Sequence, residues 1–376
     1  MANEITVPAL RGLALARADS RCVVSAYLNL DPQQFATAPA RASAITSLLD
    51  EARREVEGGE HEHEELVHLR GDVERIAGYL QNADFAGARA MSVFACAKLD
   101  LFEALALPHA VENTVIIDYA PFIAPLVEIG PPGQWCVALV NRRSTRILRG
   151  SAHNLAEVVA FGDEVHGQHS QGGRSQARYE RSVERDVDEH LRRTARVLLT
   201  HYRRRHFESL LLAAPVELRQ RLIDALHPYV RDRMRACLDL DIENTSVEQV
   251  REAAAERIGE IETARTSERL ERLRGELGAS GRAVAGSEGV LQALNERRVE
   301  ALLYEPGLKL EGAMCALCSL LQTTSGVCPV DETPLIERED MLEEALQSAV
   351  GQSAELIAVD GPDLGPLGGI AALLRF

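Results

Sequence analysis

The sequence predicts an α/β and α+β protein of three domains. Its 376 residues suffice for two or three substantial cores, and 46% hydrophobic residues with only 4% aromatic residues are typical of such a chain. Runs of strand-forming residues are interspersed with longer stretches of helical periodicity. A Pro-Pro-Gly turn at 131–133 and a capping box at 246–249 mark two boundaries. We therefore expect domains at 1–131, 134–245 and 246–376.

The first domain is predicted to be mixed α+β. The apolar run 22–30 predicts a strand, and the periodicity from 40 to about 57 predicts an amphipathic helix. A charged loop leads to a second helix that ends near residue 81. Three further strands are expected at 90–97, 101–107 and 113–118.

The middle domain is predicted to contain a mixed sheet covered by helices. A hairpin, a third strand and then alternating helix and strand favour that arrangement. The expected elements are strands at 136–141, 145–150 and 158–161, a loop at 162–177, a helix at 178–206, a strand at 208–214, a helix from Pro215 and a strand at 237–242.

The last domain is predicted to be α/β. A long charged helix runs from the capping box to about residue 277, and Asp340 with Glu343 looks like a second cap pair, for a helix that Gly351 ends. The remaining elements are a helix at 287–296, a strand at 299–304, the helix at 340–350, and strands at 355–359 and 370–376.

The predicted helix 178–206 carries an arginine stripe. Its arginines at 178, 181, 185, 192, 196 and 203 fall within an arc of roughly 60° when each residue turns by about 100°. The chain has a net charge of −16, yet 166–206 holds ten arginines against five acidic residues. This polarity predicts an RNA-binding face made by Arg178, Arg181, Arg185, Arg192 and Arg196. The alternative is a solvated helix face with i,i+4 ion pairs.

A Gly-Gly loop precedes this helix. The pattern Gly172-Gly173-x-Ser175-x-x-Arg178-Tyr179-x-Arg181 resembles the Gly-Gly-Gln loop of the archaeo-eukaryotic class 1 release factors. It is most similar to the bacterial branch of that superfamily, which also includes Pelota. Arg174 stands where those release factors have glutamine, and the nearest glutamine downstream is Gln176.

The resemblance implies a fold for each domain and a set of partners. The middle domain is expected to be RNase H-like, and the C-terminal domain to have the kink-turn-binding ribosomal-protein fold with a small knuckle insertion. The Asn-Ile-Lys-Ser codon-reading motif of release factors is absent from the first domain. The expected partners are rRNA of the ribosomal A site, peptidyl-tRNA and a translational GTPase. No signal peptide or membrane-spanning run is evident in the sequence, so we expect a cytoplasmic protein.

Three functions are compatible with this loop. In the first, Gly172, Gly173, Arg174, Ser175 and Gln176 promote hydrolysis of the peptidyl-tRNA ester by positioning water and stabilising the oxyanion. In the second, the protein occupies the A site without catalysis, as Pelota-like rescue or hibernation factors do. In the third, histidines near the loop serve a tRNA-directed hydrolase or nuclease.

The seven cysteines fall into two groups. Cys315, Cys318 and Cys328 with Asp331 look like a zinc knuckle whose fourth cysteine is replaced by a carboxylate. Two interpretations fit these residues: a structural zinc site, or a degenerate ribbon whose thiols stay reduced. No other cofactor is required. The other cysteines are expected to pack in strands, at 22, 96, 136 and 237.

Overall fold

The computed structural model describes the chain except residues 1–2, 60, 86–87, 130–134, 152–153, 163–175, 205, 241, 243, 280 and 361, with backbone alone at 3–4, 151, 154, 176–180 and 278–279. Contacts group the chain into two compact units. Unit 1 comprises Met1–Pro131 with Thr266–Phe376, and unit 2 comprises Pro132–Arg265. The three-domain division stays a prediction.

The N-terminal part of unit 1 is a five-stranded sheet with helices. Its elements are β1 (Asn3–Glu4), α1 (Val7–Leu15), β2 (Val23–Asn29), α2 (Ala38–Gly58), α3 (His63–Asn82), β3 (Ala90–Cys96), β4 (Leu101–Leu107), β5 (Thr114–Asp118) and α4 (Ala124–Ile129). The strand order is β1-β4-β3-β2-β5, and only β1 and β4 are parallel. Every residue of β2 and β3 is buried, which explains their mostly apolar sequence. The sequence analysis missed α1 and α4 because both are short.

Unit 2 contains a mixed sheet covered by helices, as predicted. Its elements are β6 (Trp135–Val140), β7 (Ser144–Ser151), β8 (Asn154–Gly162), α5 (Gln176–Arg204), β9 (Ser209–Ala213), α6 (Val216–Ala225), α7 (Pro228–Arg231), β10 (Met234–Leu238) and the start of α8 (Val247–Ala279). The order is β10-β9-β6-β7-β8, with β6, β7 and β8 antiparallel and β9 parallel to both β6 and β10. The strand expected at 237–242 lies earlier, because the chain has already left the sheet after Leu238.

The central strand β6 supplies two hydrophobic cores. Cys136, Ala138 and Val140 face the cluster that contains α5 and α6, whereas Val137 and Leu139 face the cluster that contains the start of α8. Alternate side chains of a strand point to opposite faces, so a strand covered on both sides is apolar throughout.

The capping box at the start of α8 is confirmed. The backbone N–H of Ser246 donates to Oε1 of Gln249 at 2.9 Å, and the backbone N–H of Gln249 donates to Oγ of Ser246 at 3.2 Å. This reciprocal pair satisfies two of the amides that a helix start leaves without intrahelical partners.

The C-terminal part of unit 1 is α/β with a small additional sheet. Its elements are β11 (Ala283–Ala285), α9 (Gly286–Asn295), β12 (Val299–Tyr304), β13 (Gly312–Met314), β14 (Leu321–Gln322), β15 (Ile336–Arg338), α10 (Leu342–Gly351), β16 (Glu355–Ala358) and β17 (Ile370–Leu374). The larger sheet has the order β11-β17-β12-β16, and the smaller one the order β14-β13-β15.

Glu343 does not serve the cap that the sequence predicted. Asp340 does accept the backbone N–H of Leu342 at 2.9 Å. The carboxylate of Glu343 instead accepts the backbone N–H groups of Ile123 at 2.7 Å and Ala124 at 2.9 Å, and the side chain of Gln347 donates to it at 2.8 Å. Glu343 therefore links α10 to the start of α4, a long-range contact that local sequence spacing does not reveal.

Among the described residues, no helix is both long enough and apolar enough to span a bilayer. The 33 residues of α8 are interrupted by charged side chains along their whole length.

We expect Glu343→Gln to remove one pH dependence of stability. Burial raises the pKa of Glu343 to about 7, although the hydrogen bonds to its carboxylate oppose this. Because the folded protein binds this proton more tightly than the unfolded chain does, the resulting stabilisation is complete when the pH is below the ordinary pKa of a glutamate side chain. It is lost as the pH rises through about 7. Wild-type protein should therefore lose on the order of 1–3 kcal/mol more free energy of unfolding between pH 5 and pH 8 than the variant does.

Urea denaturation at the two pH values measures this difference. Glu288→Gln, at an exposed position on α9, is the matched control and should retain the wild-type pH dependence. Equal pH dependence in wild type and Glu343→Gln would contradict the prediction.

Candidate nucleic-acid interface and metal site

One face of α5 is fixed to the sheet of unit 2. Val187, Leu191, Leu198 and Tyr202 are buried in the cluster that β6 and α6 also line. Val183, one turn nearer the helix start, is half-buried. The apolar side that the periodicity predicted is therefore confirmed, and the opposite side of α5 faces solvent.

The solvent side of α5 carries the predicted arginines. Arg181, Arg185, Arg192 and Arg196 are all exposed. Within the part of the chain that the structure describes, neither Arg185, Arg192 nor Arg196 has an ion-pair partner. The alternative of a stripe neutralised by i,i+4 pairs therefore does not describe these three side chains.

Two acidic residues of α5 pair with an arginine of α6. Arg221 of α6 pairs with Glu184 and with Asp188, each at 2.8 Å. The hydrogen bond to Asp188 and that to Glu184 raise the pKa of Arg221 against the effect of burial. Because Arg221 occupies both carboxylates, they are not available to the stripe. No periodicity in the sequence connects Arg221 to α5, so this contact was not predicted.

A groove of about 830 Å³ lies along the arginine stripe. Arg185, Arg192 and Arg196 line it from α5, together with Asp188 and Glu189. The rest of its lining consists of Ala195, Leu199, Ala225 and His227. The volume is within the range of about 300–1,000 Å³ that is usual for ligand sites, and three guanidinium groups suit it to anionic ligands.

A buried polar cluster holds α5 against β7. Oγ1 of Thr145 lies 3.0 Å from Nε2 of His190 and 2.7 Å from Oγ1 of Thr194, and all three residues are buried. The exposed side of the same turn is held by Arg193, whose guanidinium lies 4.5 Å from the ring centroid of Phe161. The buried position of His190 makes it a structural residue and not a solvent-accessible acid or base.

The predicted loop residues Gly172, Gly173, Arg174 and Ser175 lie outside the described residues. Gln176 is the first residue of α5, and Arg178 lies in its first turn, with the backbone alone described at both positions. The helix that follows the loop thus begins two residues earlier than predicted.

The structure brings together the four residues of the predicted knuckle. One ligand atom from each of Cys315, Cys318, Cys328 and Asp331 lies within 4.8 Å of all the others. Sγ of Cys318 is 3.4 Å from Sγ of Cys328, and Sγ of Cys315 is 3.1 Å from Oδ2 of Asp331. Ligand atoms bound to one tetrahedral zinc lie roughly 3.3–3.8 Å apart, so this cluster could hold a structural metal.

Backbone amides support the thiols of this cluster. The N–H of Cys318 points at Sγ of Cys315 at 3.4 Å, and the N–H of Val330 points at Sγ of Cys328 at 3.5 Å. Such N–H···S contacts stabilise thiolates, which are the form that binds metal. The hydrogen bonds from Thr333 and Cys315 hold the pKa of Asp331 well below its usual range, so its carboxylate is ionised.

The remaining cysteines are mostly core residues, as predicted. Cys22, Cys96 and Cys136 are buried, and Cys237 is half-buried. Burial raises the pKa of the Cys136 thiol to about 12, which fits a role in packing.

Residues 121–258 match the family described as bacterial archaeo-eukaryotic release factor family 10. The match covers the Gly-Gly loop, α5 and both walls of the groove. It confirms the resemblance that the loop motif indicated, to the bacterial branch of the archaeo-eukaryotic release factors.

Two archaeal proteins support the same conclusion. Peptide chain release factor subunit 1 of Thermoplasma acidophilum is 25% identical over 263 residues, 63% of this chain and 63% of that protein. The chain thus spans less than two thirds of that relative's length. The Methanosphaera stadtmanae protein of the same description is 24% identical over 298 residues, 72% of each. A solved structure of ribosome-bound archaeal Pelota with ABCE1 aligns with all of this chain and 95% of Pelota, at 13% identity and a TM-score of 0.42.

Proposed function

We propose that this protein binds the ribosomal A site and promotes hydrolysis of the peptidyl-tRNA ester, in peptide release or ribosome rescue. The observation that carries the proposal is that Arg185, Arg192 and Arg196 are exposed on α5 and have no ion pair among the described residues, in the helix that follows a release-factor-like Gly-Gly sequence. Arg185, Arg192 and Arg196 contact RNA phosphates, and Arg178 and Arg181 continue the row toward the loop. Arginine suits this task because its guanidinium binds phosphate oxygens in pairs.

The chemistry that the loop supplies is positioning. Ester hydrolysis needs a water held against the carbonyl carbon and polar groups near the developing oxyanion. Gly172 and Gly173 allow the backbone to come close to the substrate because they have no Cβ. Gln176, the first glutamine after the glycine pair, can orient water, whereas Arg174 is a cation suited to a phosphate of the tRNA end.

The second candidate is A-site occupancy without catalysis. It is favoured by Arg174, which replaces the glutamine of release factors, and by the absence of the codon-reading motif from the sequence. Both candidates require the same RNA contacts and place the protein in the cytoplasm. A translational GTPase that contacts the C-terminal domain 246–376 is a further part of the proposal.

We also infer finer fold relationships. The strand order of unit 2, with three antiparallel strands followed by two parallel ones, supports an RNase H-like middle domain at 134–245. The four-stranded sheet with α9 and α10 supports the kink-turn-binding ribosomal-protein fold for the C-terminal domain.

We infer that Cys315, Cys318, Cys328 and Asp331 bind one structural zinc ion. Three thiolates and one carboxylate form a closed tetrahedral set, which is typical of structural rather than catalytic sites. The metal would fix the two segments that connect β13 to β14 and β14 to β15.

The double variant Arg192→Glu/Arg196→Glu should weaken ribosome binding at least about tenfold at low salt. The loss of two phosphate contacts should also reduce the slope of log affinity against log salt by roughly 1.5. Cosedimentation with 70S ribosomes at graded salt measures both quantities. The control is Arg231→Glu/Arg235→Glu, which changes the same charge at exposed positions of unit 2 outside the groove lining. Equal loss in both double variants would contradict the proposed RNA face.

Release activity separates the two candidate functions. Peptidyl-tRNA on stalled ribosomes should be hydrolysed by wild-type protein, and Gln176→Ala should lower the rate by about 10- to 1,000-fold if Gln176 orients the water. Ribosome binding should be unchanged in this variant. Stable binding of the wild-type protein without any release would favour the occupancy candidate, and cleaved tRNA 3′ ends would favour the nuclease alternative.

Zinc removal should destabilise unit 1. Purified protein should contain about one zinc per chain by elemental analysis, and a strong chelator should lower its melting temperature. Cys328→Ser should abolish the zinc content, whereas Cys237→Ser, outside the cluster, should retain it. Protein that is stable and free of zinc after expression in zinc-supplemented medium would contradict the assignment and support a degenerate ribbon.

A further inference from the structure

An aromatic pair, half-buried His227 and exposed Tyr229, lies at the edge of the arginine groove. His227 lines the groove, and the ring of Tyr229 lies 4.7 Å from the His227 ring, centroid to centroid, with an interplanar angle of 58°. Tyr229 is 59% exposed, although an aromatic side chain of this size is usually mostly buried. No prediction from the sequence involved either residue.

The aromatic pair is held in place by local structure. Nδ1 of His227 accepts the backbone N–H of Tyr229 at 3.2 Å, and this contact caps α7. Val230, the next residue, is completely buried and anchors α7 in the core. When the imidazole is neutral, Nε2 therefore carries the hydrogen and is the donor that His227 can offer to a ligand.

The arginines of the groove form a row beside this pair. With a rise of about 1.5 Å per residue, Arg192 and Arg196 are about 6 Å apart along the axis of α5, and Arg185 lies roughly 10 Å further on. This row is long enough to contact more than one phosphate group of a single strand.

We propose that the groove and Tyr229 together bind a single-stranded RNA segment. Phosphates contact Arg185, Arg192 and Arg196, His227 donates from Nε2, and one unpaired base stacks on the exposed ring of Tyr229. A cationic groove with an adjacent aromatic platform is the usual way in which proteins hold single strands. The inference rests on the proposed function to the extent that the strand belongs to ribosomal or transfer RNA.

The aromatic residue distinguishes this ligand from other anions. Bases in a duplex are stacked on one another, so duplex RNA can contact the arginines but cannot use Tyr229. An acidic peptide would likewise pair with the arginines and gain little from the aromatic ring. The exposed Tyr229 therefore favours a strand whose bases are free.

Fluorescence anisotropy with a fluorescein-labelled adenosine octanucleotide tests the proposal. Tyr229→Ala should weaken binding by about 5- to 150-fold, because one base–aromatic stack is lost. Tyr229→Phe keeps the ring and should bind within about twofold of wild type. Affinity for an RNA duplex with the same number of phosphates should be equal in wild type and Tyr229→Ala.

Phe376→Ala is the matched control, because it removes a 70% exposed aromatic ring from unit 1 and should not change octanucleotide binding. The proposal is overturned if Tyr229→Ala binds the octanucleotide as wild type does, if wild type shows no saturable binding, or if polyglutamate displaces the octanucleotide more effectively than unlabelled RNA does. Ribosome cosedimentation is a separate measurement, which tests the proposed function. Octanucleotide binding that depends on Tyr229, without ribosome binding, would refute the proposed function alone. Ribosome binding that depends on the arginines, together with octanucleotide binding that Tyr229→Ala leaves unchanged, would refute this inference alone.

Discussion

The burial of one face of α5 is the constraint on which the candidate interface depends. Leu191, Leu198 and the His190–Thr194 cluster fix the rotation of the helix about its own axis, because each must reach the sheet. A helix repeats every 3.6 residues, so fixing one face also fixes the direction of the other. The packing of the apolar face therefore presents Arg185, Arg192 and Arg196 to solvent.

The electrostatics of the interface depend on a residue outside the helix. Arg221 binds the carboxylates of Glu184 and Asp188, two acidic residues of the same helix as the stripe. Attraction between the exposed arginines and exposed carboxylates near them is weak and is screened by salt. The positive charge of the stripe is therefore available to attract a polyanion. In a chain with a net charge of −16, this local concentration of arginines without ion pairs among the described residues is the feature that favours the proposed RNA partner.

Periodic and local features could be predicted from the sequence, and long-range contacts could not. The apolar face of α5, the mixed sheet of unit 2 and the capping box at Ser246 follow rules that act within a few residues. The role of Glu343 was predicted wrongly, because its partners at 123 and 124 are 220 and 219 residues away in sequence. The opposite wall of the groove, with His227, was missed for the same reason. By contrast, the knuckle was found because the Cys-x-x-Cys spacing itself sets the geometry of the thiols.

The discontinuity of unit 1 has a consequence for biosynthesis. Glu343 and α10 belong to the same unit as α4, yet the whole of unit 2 is translated between them. Domains tend to fold as they emerge during synthesis. Unit 2 can thus form its sheet before α10 is synthesised, and the backbone amides at the start of α4 gain the carboxylate of Glu343 only after α10 has left the ribosomal exit tunnel.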